Sequence, residues 1–327
     1  MNYIKIAKRW SKAGFSVIPV TAEKNPAIHT WTEFQKRPMT DEECEKYFKD
    51  VWGIALLMGT SKKLTALDLD LKYSNDKFFL ENYKKEIPNK LLKKFYVQTT
   101  KNHGMHFVFS SDVVENNQKL ASRETTVEEK HEVYIDNYKN LRTRGKALKI
   151  ALNHKSLTFL ETRGEGGYIL IHPSPGYEPV YGKIQHLTAE EYENVMVISR
   201  SFNEYEELHR DFKIEKYRNS DINPFEEFNN RGDVLKILYD NGWEDVPGGQ
   251  KLNSKSVRLK RAGNPSSKSS ALFDKETRVF NVFSTSTNFE ANRGYSAASV
   301  FVLLEADGDT EYAYKLLIEK GFGEKLS

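Results

Sequence analysis

Two aspartates one residue apart, in Leu67-Asp68-Leu69-Asp70-Leu71, are the residues most able to do chemistry. In a strand, successive side chains point to opposite faces. Leu67, Leu69 and Leu71 then pack on one side, and Asp68 and Asp70 stand together on the other. Carboxylates that close repel, and each favours protonation of its neighbour. A divalent cation removes that conflict, and hard oxygen ligands suit Mg²⁺ or Mn²⁺. The bland alternative is an edge strand with two solvated aspartates. Ala66 and the leucines make a central strand the better reading, because aspartates are seldom buried without a partner.

Two more segments add to this pair. In Thr100-Lys101-Asn102-His103-Gly104-Met105-His106-Phe107, His106 alternates with Met105 and Phe107, so it points away from the side they pack on. Gly104 permits close backbone approach just before it. An imidazole there can hydrogen-bond a phosphate, and Lys101 can add charge; a satisfied structural histidine is the alternative. His103 sits in the turn and is the weaker choice. In Glu161-Thr162-Arg163-Gly164-Glu165-Gly166-Gly167-Tyr168, an acid ends a strand before a glycine-rich turn. Glu161 can supply a third metal-binding carboxylate and Arg163 can clamp a triphosphate. Alone, this segment reads better as a hairpin with charged ends.

The order of these pieces resembles the archaeo-eukaryotic primase superfamily, and most closely its bifunctional primase–polymerase branch of plasmids, phages and prophages. Upstream, Val17-Ile18-Pro19, Lys24-Asn25-Pro26, Trp31, Gly53-Ile54-Ala55 and Gly59-Thr60 stand where that branch has its characteristic residues. The resemblance covers roughly residues 1–182. It implies that Asp68, Asp70 and Glu161 hold two catalytic Mg²⁺ or Mn²⁺ ions and that His106 contacts the nucleotide. Arg163 would lie near the triphosphate, with Thr100 and Lys101 beside it. Single-stranded DNA template and NTP or dNTP are the implied partners. One departure falls in the turn before the histidine, usually Thr-Pro-Ser-Gly-Gly-x-His. Here His103 replaces its first glycine and Asn102 the small residue before it.

The elements that must position these residues suggest an α+β fold: mixed or antiparallel sheets flanked by helices, a helical linker and a small α+β C-terminal domain. Residues 3–13 have the apolar spacing of a short amphipathic helix stopped by Gly14. FSVIPV (15–20), GIALLM (53–58) and LTALDLDL (64–71) suggest strands. KFYVQT (94–99) and MHFVFS (105–110) suggest a hairpin. Thr40 with Glu43, and Thr188 with Glu191, form capping boxes; the second opens a helix reaching to about His209. Residues 111–150, polar and highly charged, are expected to be a partly helical insertion. The expected domains are a catalytic domain over 1–185, a helical linker over 186–232, whose stretch 211–224 is polar and ends in Asn-Pro, and an accessory domain over 233–327. In the last, Asp233 caps a helix to Asn241, VPGGQ (246–250) turns, and SVRLKRAG (256–263) and RVFNVFS (278–284) suggest strands. Two helices follow, about 296–306 and 309–320.

That C-terminal part loosely resembles the tail domain after the primase core in some phage primase–helicases. Arg261-Ala262-Gly263-Asn264, Ser270-Ala271 and Phe283-Ser284-Thr285 stand at its recurring motifs. Template or partner binding through Arg258, Lys260 and Arg261 is expected, against the alternative of a solvated basic face. No Gly-x-x-x-x-Gly-Lys-Ser/Thr occurs, so this sequence holds no helicase motor; the resemblance implies a helicase as a partner, on the same or another chain.

Composition bounds the class. The 327 residues carry 49 Lys and Arg against 46 Asp and Glu, a net charge of +3 that allows local basic patches without announcing a nucleic-acid binder. The single cysteine, Cys44, excludes a disulfide framework and a cysteine zinc site. The N-terminal stretch lacks the apolar core of a signal peptide, and no run reaches the roughly 20 apolar residues that span a bilayer. A cytoplasmic protein with no membrane partner is expected. Two other functions use similar parts. A rolling-circle nuclease would need a catalytic tyrosine and usually a His-x-His pair, which is absent here. A non-catalytic single-stranded-DNA-binding initiation module would tolerate loss of the acidic residues, which are all present.

Overall fold

The computed structural model describes residues 1–141, 143–205, 223–246, 255–261, 269–285 and 287–323. They fall into two compact units. The first comprises Met1–Val195 and Phe202–Tyr205; the second comprises Met196–Ser201 and the described residues beyond 222.

The first unit opens with α1 (Tyr3–Lys12), whose free N–H of Lys5 is capped by the Asn2 side chain. Gly14 ends it at φ +83°, a left-handed conformation glycine adopts without steric cost. Then come β1 (Val17–Val20), α2 (Asp41–Tyr47), β2 (Gly53–Leu57), β3 (Leu64–Leu69), α3 (Phe79–Glu86) and α4 (Asn89–Leu92). The expected Thr40/Glu43 capping box opens α2. The chain continues through β4 (Tyr96–Thr99), β5 (Met105–Ser111), β6 (Lys119–Glu124), α5 (Val127–Leu141) and α6 (Arg144–Asn153). It ends with β7 (Ser156–Arg163), β8 (Tyr168–Ile171), β9 (Pro179–Tyr181), β10 (His186–Leu187) and the start of α7 (Ala189–Arg200), opened by the Thr188/Glu191 capping box.

Two sheets result. The small one has the order β1-β2-β8 and is antiparallel. The large one runs β6-β7-β3-β5-β4-β9, with β10 pairing β5 in parallel. β3 is therefore central, as its apolar flanks predict. Leu64, Ala66 and Val108 share one buried cluster with Val17, Ile18 and the residues of β2 and β8, so one face of the large sheet packs on the small sheet. The opposite face carries Leu67, Leu69 and Phe107, all inaccessible to solvent. Phe107 meets Tyr83 of α3 and Phe95 edge-on at 6.1 and 5.8 Å.

Three expectations change. Residues 111–150 are more than a partly helical insertion: β6 lies within them and pairs antiparallel with β7. Short-range patterning misses β6 because Lys119-Leu120-Ala121-Ser122-Arg123-Glu124 is neither alternating nor β-branched. Next, the glycine turn after Glu161 does not close a hairpin. It carries the chain from β7 in the large sheet to β8 in the small one. Last, α7 stops at Arg200; residues 206–209 of the longer helix expected there lie outside the described residues. Much of the 211–224 stretch and of the 246–250 turn also lies outside them.

The second unit contains α8 (Pro224–Arg231), α9 (Val234–Asp240), β11 (Glu244–Asp245), β12 (Ser256–Lys260), β13 (Ala271–Asp274), β14 (Phe280–Val282), β15 (Arg293–Tyr295), α10 (Ala297–Glu305) and α11 (Thr310–Glu319). Asn223-Pro224, which resembles a linker end in sequence, is a helix start: the Asn223 side chain accepts from Phe225 N–H, and proline occupies the first turn. The five strands form an antiparallel meander in chain order. Its core is aromatic, with Trp243 and Phe280 edge-to-face at 5.0 Å and Phe228 and Phe301 at 5.0 Å. Among the described residues, no helix is long and apolar enough to cross a membrane.

The buried leucine face of β3 is what holds its aspartate face in place. Leu67→Ala is expected to lower the unfolding free energy by about 2–5 kcal/mol, as buried Leu→Ala changes do, measured as a shift in the urea midpoint followed by circular dichroism.

Candidate active site

Register brings the separated sequence segments together. In the large sheet Asp68 pairs with Glu161 of β7 on one side and with His106 of β5 on the other, and His106 pairs with Gln98 of β4. Directly paired residues share a face. Glu161, Asp68, His106 and Gln98 thus form one line across four strands. Asp70 lies just beyond the end of β3, its N–H donating to Phe159 O at 2.9 Å.

Distances along the line are short. His106 Nε2 is 3.4 Å from Asp68 Oδ1, and Arg163 Nε is 3.5 Å from Asp68 Oδ2. The other end of Arg163 holds Glu161, with Nη2 2.5 Å from Oε1. Burial pushes the Asp68 carboxyl up, but His106 and Arg163 together outweigh it and hold the group below its ordinary value. Asp70 is pushed up by burial and then by the charge of Asp68. Glu161 is also raised, by burial first; Arg163 opposes that, while both aspartates add to it. Tyr177, buried beside the histidine, is pushed up to about 12 by burial and the same two aspartates.

Asp68, Asp70, His106 and Arg163 line a cavity of about 400 Å³ in the first unit. Lys24, Lys72, Thr100, Asn102, Asn117, Tyr168 and Tyr177 also line it, as do Gly166 and Gly167. Two expected site residues stand differently. Glu161 does not face the cavity, because its carboxylate is turned onto Arg163. Lys101 is also outside the lining, with its ammonium 5.4 Å above the Trp52 ring. Thr100 lines the cavity while its hydroxyl oxygen accepts from Gly104 N–H at 3.0 Å.

The turn before His106 keeps its shape despite the departure at His103. Thr100 N–H donates to Gly104 O and His103 N–H to Thr100 O. His103 sits at φ +61°, the left-handed region where a glycine is at ease and a histidine is strained. Gly104 is needed for another reason: a Cβ there would lie 2.4 Å from Leu69 O. The glycine turn after Arg163 is clasped by residues 115–118. Asn117 Oδ1 accepts from Gly164 N–H at 2.9 Å and Glu115 O from Glu165 N–H at 2.8 Å. A Cβ on Gly164 would fall 1.9 Å from Glu115 O.

Sequence reasoning missed Lys24, Lys72, Asn117, Tyr177 and Gln98. Lys24 belongs to the Lys-x-Pro signal, which marked family likeness but not the cavity. Asn117 lies in the stretch expected to be an insertion, and nothing local to Gln98 sets it apart from any strand glutamine.

The carboxylates offer hard oxygens suited to Mg²⁺ or Mn²⁺, and raised Asp70 and Glu161 show charge in need of neutralising. Among the described residues no three His, Cys, Asp or Glu side chains already converge as a metal site. The Glu161 carboxylate is paired with Arg163. A site built on Asp68 and Asp70 fits; including Glu161 requires Arg163 to let go.

In the second unit, Val257 and Leu259 of β12 are buried, and Arg258 and Lys260 alternate with them on the other face. Lys260 pairs with Glu244 at 2.8 Å. Arg261 follows the strand, its N–H donating to Ser270 Oγ at 3.3 Å.

An α+β core with antiparallel sheets here carries an acidic residue pair and a histidine at the border of one cavity. Residues 7–191, more than half of the chain, match the family described as bifunctional DNA primase/polymerase, N-terminal, and the chain belongs to that family. No curated protein matches the chain. The family is one of nucleotidyltransferases of the primase and polymerase type, generally dependent on divalent metal, acting with DNA and nucleotides.

Because the folded state raises the Asp70 carboxyl above its ordinary value, ionising it costs stability. The cost is absent below the ordinary aspartate pKa of about 3.9 and grows as pH rises through the higher folded value. Asp70→Asn is therefore expected to melt above the wild type at neutral pH without metal, with the difference vanishing in acid. It should also lose most of any rise in Tm that Mn²⁺ gives the wild type, as read by differential scanning fluorimetry.

Proposed function

We propose that the chain is a DNA-directed primase–polymerase that transfers a nucleotidyl group from NTP or dNTP to a 3′-hydroxyl on a single-stranded template. Replication of a plasmid, phage or prophage is the setting that its resemblance favours. The observation that carries the reading is the cross-strand pair Asp68–His106 with Asp70 beside it, opening on a cavity that Lys24, Lys72 and Arg163 also line, while Glu161 pairs with Asp68 from the next strand.

Asp68 and Asp70 are the residues that would hold Mg²⁺ or Mn²⁺, two ions in all, with Glu161 joining once Arg163 shifts. Ions held there would lower the pKa of the attacking hydroxyl and neutralise the leaving pyrophosphate. The protein's own contribution is binding and orientation. Lys24, Lys72 and Arg163 supply positive charge for the phosphates, and Asn102 and Asn117 supply neutral polar groups. His106 Nε2, 3.4 Å from Asp68 in this structure, would contact a phosphate oxygen once nucleotide is in place. Arg163, released from Glu161, gains a triphosphate in exchange for a carboxylate. Thr100 keeps the His106 turn closed and lends its hydroxyl to the same wall. Lys101 would join the nucleotide by swinging off Trp52.

Arg258, Lys260 and Arg261 are proposed to bind the template, with Lys260 exchanging Glu244 for a DNA phosphate. A helicase on the same or another chain would supply unwound template.

Incorporation of labelled nucleotide on a primed and on a bare single-stranded template, with Mg²⁺ or Mn²⁺, tests the reading. The Asp68→Ala/Asp70→Ala protein should fall to background, and His106→Ala should lose about 10²–10³-fold in kcat, the usual loss when one preorganised donor is removed. Incorporation surviving in the double variant would overturn the assignment. For the template-binding residues, Arg258→Ala/Lys260→Ala should weaken binding to single-stranded DNA. It should also flatten the slope of log K against log salt by about 0.7 for each phosphate that is no longer neutralised, measured by fluorescence anisotropy.

A further inference from the structure

Behind His106, on the side away from Asp68, the fold buries one glutamine. Gln98 is inaccessible to solvent, and both ends of its amide are hydrogen-bonded. Its Oε1 accepts from the backbone N–H of His172 at 3.3 Å and from the Tyr96 hydroxyl at 3.2 Å. Its Nε2 donates to Leu170 O at 2.7 Å and lies 2.9 Å from His106 Nδ1. Two of these partners admit no choice. A backbone N–H only donates and a backbone carbonyl only accepts, so the amide oxygen must face His172 and the amide nitrogen must face Leu170. Turning the amide over would set two donors against each other at His172 and two acceptors against each other at Leu170.

With the amide so fixed, its second N–H points at His106 Nδ1. That ring nitrogen must then accept, because a hydrogen on it would face the hydrogen of the amide. A neutral imidazole that accepts at one nitrogen carries its hydrogen on the other. The hydrogen is therefore on Nε2, the atom that faces Asp68 at 3.4 Å and borders the cavity.

We propose that Gln98 is a positioning residue that fixes His106 as the Nε2–H tautomer, so that the ring offers the cavity a hydrogen-bond donor and no basic lone pair. The consequence for nucleotidyl transfer rests on the function proposed above; the tautomer itself does not. In that reaction His106 serves an oxyanion, by donating to a phosphate oxygen of the incoming nucleotide. It does not take the proton of the attacking hydroxyl, since Nε2 already carries one. The base for that proton has to be sought among the carboxylates or in solvent. β8 is part of the device: Leu170 within it and His172 just past its end orient an amide on β4 that in turn orients a ring on β5.

Nitrogen-15 NMR of the full chain labelled at histidine reads the tautomer directly, without metal or nucleotide. The His106 signals are assigned by their loss in His106→Gln. In the wild type Nε2 should carry the hydrogen and Nδ1 should be bare. In Gln98→Glu the carboxylate accepts and cannot donate, so the hydrogen should appear on Nδ1. In Gln98→Met, which keeps the length and removes the donor, both tautomers should be present. A wild type with its hydrogen on Nδ1 would overturn the proposal, and so would either variant that folds with the wild-type pattern unchanged. Kinetics supply the second readout. Gln98→Glu should raise the nucleotide KM about ten- to a hundredfold, the worth of one hydrogen bond to a charged group. A wild type that incorporates no nucleotide would end the polymerase reading and leave the tautomer result standing. An active wild type with the wrong tautomer would do the reverse.

Discussion

The charges of Asp68, Asp70 and Glu161 repel one another at the end of one central strand and its neighbour, and the residues around them bear that repulsion. Asp68 and Glu161 are cross-strand partners, and Asp70 follows two residues after Asp68. Burial raises the cost of each charge. The fold relieves it unequally. Asp68 stays ionised between His106 and Arg163, while Asp70 and Glu161 are held above their ordinary values. Such a site is bound to be destabilising by itself. It persists because the same strand presents Leu67 and Leu69 to a dry aromatic layer on its other face.

Arg163 is the hinge of this balance. It spans Asp68 and Glu161, so one guanidinium neutralises both. Its place is not incidental. The turn that follows it is clasped by the 115–118 segment through Gly164 and Glu165, and the turn then enters the other sheet. A charged side chain whose backbone is held this firmly has limited reach.

Fold class was legible because its signals are local. Capping boxes at Thr40 and Thr188, the stop at Gly14 and the apolar strands around Ile54 and Leu67 each depend on a few neighbouring residues. β6 was not legible, since its strand character comes from pairing with β7 and not from its own residues. The turn after Glu161 likewise gave no sign that it would pass between sheets: a glycine-rich turn has the same composition whether it closes a hairpin or leaves one.

For the site, local alternation was enough to set Asp68 on the face opposite Leu67 and Leu69 and His106 on the face opposite Phe107, because the period of a strand is a property of the strand alone; it did not foresee that the strand ends at Leu69, leaving Asp70 beyond it and Leu71 in a short 3-10 turn. The residue types that could do chemistry, and the family they resemble, were likewise contained in the chain's own order. Tertiary structure decided the rest. It put Glu161, Asp68, His106 and Gln98 in register, turned Glu161 onto Arg163, laid Lys101 over Trp52 and set Lys24, Lys72 and Asn117 around the cavity. The physical reason is that register and side-chain partners are settled by hydrogen bonds and charges between segments far apart in sequence, which no window of neighbouring residues contains.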